Sequence, residues 1–135
     1  MIFLDTNVVV DLLTNRRPLV RRHFAEARHA GASLALSAVA LFELRYGAAN
    51  SERVERNHRI LDALLSDGFE IVAFDEDDAS EAGALRAALR REGASIGPHD
   101  LLIAAQARRR GATLITNNLR EFARVPGLAV VDWVG

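Results

Sequence analysis

Four acids in this 135-residue chain have neighbours that could do chemistry: Asp5, Glu43, Asp100 and Glu121. Asp5 ends the apolar run Met1-Ile2-Phe3-Leu4 and is followed by Thr6 and Asn7. Glu43 interrupts the apolar stretch from Ala38 to Ala49, and Asp100 opens the one from Leu101 to Ala107. Glu121 stands one turn beyond Ala112-Thr113-Leu114-Ile115, a run that ends in Thr116 and Asn117. Each acid also has a plain structural use. Asp5 could help cap a helix. Glu43 could pair with an arginine such as Arg45 or sit at a helix rim. Asp100 could complement a helix dipole, worth ~0.3–1 kcal/mol. Glu121 lies at capping-box spacing from Asn118.

The case for chemistry rests on shared placement. In a parallel sheet all carboxyl ends of the strands lie along one edge, where such folds bind ligands. Asp5 and Thr116-Asn117 follow strands at that edge, and Asp100 and Glu43 lie on helices that pack beside it. Gathered together, the acids repel. Two like charges about 4 Å apart cost roughly 4 kcal/mol at an effective dielectric near 20. Either their pKa values rise or a cation sits between them. Oxygen-only ligands favour a hard divalent ion, Mg²⁺ or Mn²⁺, suited to activating water and offsetting charge on a phosphodiester. The four histidines show no metal-ligand spacing, and His99 reads as a loop residue.

The elements that must position these acids follow from the apolar pattern. Met1–Leu4 reads as a strand buried on both faces, with a helix straight after it that Thr6 or Asn7 would cap. Pro18 starts a helix to about Ala30. Ser33–Leu36 is a short strand, and Ser37 caps a helix from Ala38 to Ala49 that is apolar nearly all round and so expected to be buried. A more polar helix spans Asn50 to Ser66, with a basic stripe at Arg53, Arg56 and Arg59. Strand 69–74 leads into Asp75-Glu76-Asp77-Asp78, which opens a helix to about Glu92. Acids at that N-terminus and arginines at the other end suit the dipole, so this cluster reads as structural. A loop from Gly93 to His99 delivers Asp100 to a second all-round apolar helix. Strands 112–115 and 128–131 complete the chain. Alternating strands and helices imply an α/β fold, a parallel sheet with helices on both faces, in a single domain over 1–135.

Composition removes several alternatives. There is no cysteine, so thiolate metal sites, disulfides and cysteine nucleophiles are excluded. There is no lysine, which removes P-loop phosphate chemistry, Schiff bases and the phospho-receiver mechanism. The net charge of -1 does not announce a nucleic-acid binder. No apolar run approaches a membrane span and no signal peptide is evident, so a cytoplasmic location with no membrane partner is the expectation.

Four motifs, in order and spanning essentially the whole chain, carry a family resemblance. They are Leu4-Asp5-Thr6-Asn7; Glu43-Leu44-Arg45-Tyr46-Gly47; Ile96-Gly97-Pro98-His99-Asp100 with Leu102-Ile103-Ala104; and Thr116-Asn117-Asn118-Leu119-Arg120-Glu121-Phe122 with Val125-Pro126-Gly127-Leu128. The sequence resembles the PIN-domain ribonucleases, and among them the VapC-type toxins of bacterial toxin–antitoxin pairs. That resemblance implies a three-layer α/β/α sandwich and a Mg²⁺- or Mn²⁺-dependent endoribonuclease. By analogy Asp5 and Asp100 are the most secure metal ligands, Glu43 binds directly or through water, and Glu121 completes the acidic ring. Some relatives carry aspartate where Asn117 stands; the amide here suits orienting water, substrate or a ligand. Thr6, Asn7 and Thr116 are candidates for hydrogen bonds to substrate or to the ligands. Implied partners are RNA, a second copy of the chain, and a VapB-like antitoxin that fills the cleft and reaches operon DNA. Arg16, Arg17, Arg53, Arg56 and Arg120 are candidate phosphate contacts.

Three rivals fit less well. An RNase H-like nuclease opens with hairpin-connected strands, whereas here a helical pattern follows the first strand. A haloacid-dehalogenase phosphatase needs a second acid two residues after the first and a lysine; Asn7 holds that place and no lysine exists. A catalytically silent RNA-binding or protein-interaction module would tolerate loss of the acids, and this chain keeps all four.

Overall fold

Three strands with no charged residue form the middle of a five-stranded sheet: β1 (Ile2–Leu4), β2 (Leu34–Ser37) and β4 (Thr113–Ile115). The computed structural model describes residues 1–134. Phe3, Leu4, Ala35, Leu36 and Leu114 are wholly buried, as strands covered on both faces must be. The edge strands β3 (Phe69–Val72) and β5 (Ala129–Val131) are half exposed, and Glu70 is tolerated there. All pairings are parallel, in the order β3-β2-β1-β4-β5.

Seven helices among the described residues connect and cover these strands: α1 (Thr6–Thr14), α2 (Pro18–His29), α3 (Ala38–Ala49), α4 (Val54–Leu65), α5 (Glu76–Arg91), α6 (Pro98–Arg109) and α7 (Leu119–Phe122). The result is the expected three-layer α/β/α sandwich around a parallel sheet. α3 packs against α1, α4 and α6, and α5 lies along α6. The core includes Val8, Val9, Leu61, Leu85, Leu89, Ile103 and Phe122.

This order places a switch point between β1 and β4. The chain winds outward from β1 through β2 to β3, then returns to the other side of β1 for β4. Ligands of open α/β sheets bind at such a crevice. Leu4 pairs with Ile115, so Asp5 and Thr116 emerge side by side there.

Local signals decide where elements begin and end, and several expected bounds shift. α1 is capped by Asp5 itself, whose carboxylate accepts the Thr6 N–H, and not by Thr6 or Asn7. α6 starts at Pro98 with Gly97 as its cap, so His99 is helical and not a loop residue. Pro98 fits this first turn because its missing N–H would have had no partner there. α4 starts four residues later than expected, because Ser51 turns back to bond the Ala48 carbonyl at 2.6 Å and receives the Asn57 amide at 2.9 Å. β3 stops at Val72, level with Ser37, where its partner strand ends in the cap of α3.

The expectation that α3 is buried all round is also corrected. Its inward row is Ala40, Leu44 and Ala48, spaced four apart, while Phe42 and Tyr46 are 57% and 62% exposed. Helix α6, by contrast, buries every residue from Ile103 to Ala107.

Candidate active site

Asp5 is the fixed point of the site. It is 3% exposed, and both its oxygens are engaged. Oδ1 accepts the Thr6 N–H and Oδ2 accepts the Thr116 hydroxyl, each at 2.9 Å. Thr116 is anchored in turn, because its Oγ1 accepts the Asn118 N–H at 3.0 Å. Burial pushes the Asp5 carboxyl above its ordinary value, and the charges of Glu43 and Glu121 add to this. The bonds from Thr116 and Thr6 hold part of the shift back.

Glu43 reaches the same place from the side of α3. Its Oε1 accepts the Thr6 hydroxyl at 2.7 Å, and its Oε2 lies 3.4 Å from His99 Nδ1. The alternative partner, Arg45, turns away to Asp62 and His58. Glu121 belongs to α7, but the capping box does not form. One of its oxygens accepts the Gly97 N–H and the other accepts the Asn118 amide at 2.9 Å. The Gly97 bond above all, then the Asn118 bond, holds Glu121 below the usual carboxylate range.

Asp100 is the least compensated of the four. No hydrogen bond to its side chain is formed among the described residues. Burial, then the charges of Asp5, Glu121 and Glu43, push its carboxyl up to about 6, with His99 opposing. Asp5 and Glu43 share Thr6, and Asp100 and Glu121 meet at Gly97, so the four converge. Gly97 makes room for this. A Cβ built there would meet Asp100 Oδ2 and Glu121 Oε1 at 3.4 Å.

Among the described residues, the basic groups that act on these acids are His99, beside Glu43 and Asp100, and Arg124, near Glu121. The donors of the acidic group are carboxylate and hydroxyl oxygens, the set a hard divalent cation takes. Among the described residues no three acids or histidines stand close enough to enclose an ion as they are. The reason is visible in the bonds: Glu43 is tied to Thr6 and Glu121 to Gly97 and Asn118. The donor chemistry fits Mg²⁺ or Mn²⁺, and the two glutamates would trade a hydrogen bond for a cation.

Of the other expected residues, Asn7 is exposed and Asn117 is half-buried, and neither makes a side-chain hydrogen bond to this group. His99, Gly97 and Asn118 went unseen in the sequence as members of the site. Gly97-Pro98 before an acid was the one available signal, because it marks a helix start whose N-terminal backbone is free to bond. The acidic cluster at Asp75–Asp78 stays outside the site, as expected. Arg17 is paired with Asp11 and is not free for phosphate. Arg56 lines a groove of about 490 Å³ between α1, α3 and α4 that reaches Thr6 and Glu43.

Removing one hydroxyl tests the support of Asp5. Thr116→Val keeps the shape but deletes the bond to Asp5 and the anchor for Asn118. If Asp5 holds a cation for cleavage of RNA, as the resemblance implies, that activity should fall roughly 10–100-fold, the usual cost of losing an outer support of a metal ligand. Thermal unfolding should show a loss of only about 1 kcal/mol. Comparing initial rates with melting curves checks both.

The comparisons with known proteins agree with this geometry. The PIN domain family pattern matches residues 2–128. The tRNA(fMet)-specific endonuclease VapC of Shigella flexneri is 38% identical over 130 residues, covering 96% of each chain. Ribonuclease VapC2 of Haemophilus influenzae (strain Rd) is 39% identical over 132 residues, 97% of this chain and 96% of that one. Among solved structures, DNA-bound VapBC2 of Rickettsia felis superposes with a TM-score of 0.90 at 36% identity, covering 98% of this chain and 99% of that one. DNA-bound VapBC of Salmonella typhimurium gives 0.89 at 36%, covering 98% and 97%. A parallel sheet with acids converging at its switch point, matched along nearly its whole length by these relatives, places the chain in the PIN-domain family, among the VapC ribonucleases.

Proposed function

We propose that this chain is the endoribonuclease toxin of a toxin–antitoxin pair and hydrolyses RNA phosphodiester bonds with a divalent cation held by its acids. One observation carries the reading. Four carboxylates converge where β1 and β4 diverge, and among the described residues Asp100 has no hydrogen-bond donor and only His99 to set against the other three acids.

Asp5, Asp100 and Glu43 would hold the ion, Mg²⁺ or Mn²⁺, with Glu121 closing the ring. When bound, such an ion supplies the positive charge that favours a deprotonated water and offsets charge growing on the phosphate. The chain's own residues do the rest. Thr116 and the Thr6 N–H fix the direction of the Asp5 carboxylate. Thr6 and His99 do the same for Glu43. Asp100, crowded by the other three acids and bonded to no donor among the described residues, is the carboxylate most in need of a cation and would hold it from the first turn of α6. Thr6 and Thr116, already anchored, and Asn7 and Asn117, still unbonded, are the polar groups left to orient water and substrate.

The relatives supply the partners to test. The Shigella protein is named for cutting tRNA(fMet), so a structured tRNA is the first RNA class to try. The solved neighbours are VapBC complexes bound to DNA, which supports a VapB-like antitoxin as partner and contact with DNA through it. Exposed Phe42 and Tyr46 on α3 give apolar surface for a homodimer. No helix among the described residues is long and apolar enough to cross a membrane.

Incubating purified, antitoxin-free protein with pooled structured RNA tests the activity. Discrete products that appear with Mg²⁺ or Mn²⁺ and vanish with a chelator are expected. RNA binding without any cleavage, across several RNA classes, would sink the nuclease and leave a silent binding module.

A further inference from the structure

A buried chain of polar groups crosses the core behind the acids, and the hydrolysis proposed above uses none of it directly. Ser37, Gln106 and Asp78 are each wholly buried. The Ser37 hydroxyl accepts the Val39 N–H at 3.0 Å as the cap of α3 and donates to the Gln106 side-chain carbonyl. The Gln106 amide nitrogen donates to the Ala73 carbonyl at 3.1 Å, just past β3, and to Asp78 Oδ2 at 3.2 Å. Asp78 receives Arg109 at 2.8 Å and Arg110 at 2.7 Å from the end of α6.

A leucine or methionine would fill the Gln106 site at less desolvation cost. A buried amide is favourable only when both its ends are satisfied, and here they are, by three different elements. What the amide adds over an apolar side chain is direction: it ties α6 to the cap of α3 and to the end of β3. Ser37 lies six residues before Glu43, and Gln106 lies six residues after Asp100. At a rise of 1.5 Å per residue, each acid is about 9 Å along its helix from the joint. The helices α3 and α6 pack directly on each other, so the joint fixes how far one can slide along the other.

We propose that Gln106 is a positioning residue for the hydrolysis, holding the helix that bears Asp100 in register with the helix that bears Glu43 through its bond to Ser37. The inference rests on the nuclease reading of those acids. An ion tolerates ligand displacements of only about 0.2 Å, so a looser register between the helices weakens the site before it unfolds the protein.

Gln106→Met keeps the volume and removes all the side-chain bonds of Gln106, and Ser37→Ala removes the joint from the other side if the first variant folds poorly. The readouts are Mn²⁺ affinity by electron paramagnetic resonance in the absence of RNA, then kcat and KM on an RNA oligonucleotide. Val20→Ala, a core truncation on α2, is the control for general loosening. Mn²⁺ dissociation constants about tenfold higher are expected for both joint variants, with kcat about tenfold lower and KM within about threefold. Val20→Ala should change neither. Wild-type Mn²⁺ affinity and kcat in folded Gln106→Met or Ser37→Ala protein would overturn the positioning role. So would equal losses in Val20→Ala. Wild-type protein that bound no Mn²⁺ and cut no RNA would overturn the nuclease reading itself, and this inference with it.

Discussion

Asp100→Asn should cut RNA about 10³-fold more slowly and, in chelator, melt at a higher temperature than the wild type. The loss of activity follows from removing the acid that faces the other three, whose contribution falls in the transition state. The gain in stability follows from the same crowding. Burial and the charges of Asp5, Glu121 and Glu43 push the Asp100 carboxyl up to about 6. A group whose pKa is raised on folding destabilises the fold wherever it is ionised. Its stabilising contribution is complete below its ordinary value near 3.8 and is lost as pH rises through about 6. At pH 7 that strain is fully present, and asparagine removes it. After allowing for solvent screening of a half-buried group, the gain should be about 1 kcal/mol, or about 3 °C. The advantage of the variant should shrink as the melts are repeated toward pH 4. Saturating Mg²⁺ should raise the wild-type melting point and leave the variant where it was. A variant less stable than wild type at pH 7 in chelator would show that the acids do not crowd one another.

How much of this was legible in the sequence differs by element. The strands around the site were readable because β1, β2 and β4 are buried on both faces, and an uncharged apolar run says so directly. The convergence of Asp5, Asp100, Glu43 and Glu121 was readable as placement at one sheet edge. Their bonds were not. Glu121 sits at capping-box spacing from Asn118, and nothing local reveals that its carboxylate goes to Gly97, 24 residues away in the chain. His99 was hidden for the same reason, because its partner Glu43 is on another helix. The exposed side of α3 misled for a different reason. Phe42 and Tyr46 make the helix look apolar all round, and composition cannot tell a core face from an exposed apolar one. Gln106 drew no notice inside an alanine-rich helix, since a single polar residue there can point to water or to a buried joint with equal ease.

Asp78→Ala is the second large effect, and it runs the opposite way. Asp78 looked like one of four dipole-stabilising acids at the start of α5. In the fold it is wholly buried and forms the capping box with Asp75. Burial opposes its charge, but hydrogen bonds from Arg110, Arg109, the Asp75 N–H and Gln106 outweigh burial and hold its carboxyl well below the usual carboxylate range. Truncation takes from both arginines their shared buried acid, leaving Arg109 with Asp75 and Arg110 with the Gln106 backbone carbonyl, and opens the cap of α5. Breaking a buried pair by removing one partner costs about 3–5 kcal/mol. Both arginines keep some contact with water, 30% and 18% of the side chain, so the low end of that range applies. A fall of about 3 kcal/mol, or roughly 10 °C in melting temperature, is expected at pH 7. A depressed pKa contributes stability above its unfolded value and loses it as pH falls through the folded one. The difference between wild type and Asp78→Ala should therefore hold steady from pH 7 to about 5 and narrow only below about 4. Asp100 and Asp78 thus pull the metal-free protein in opposite directions on acidification, the first relieved between pH 7 and 4, the second failing below it. Wild-type stability in chelator should pass through a maximum between those windows. Asp100→Asn should flatten its neutral side and Asp78→Ala its acidic side. A wild-type profile that fell steadily from pH 7 downward would mean that the crowding at Asp100 is too weak to register against the loss at Asp78.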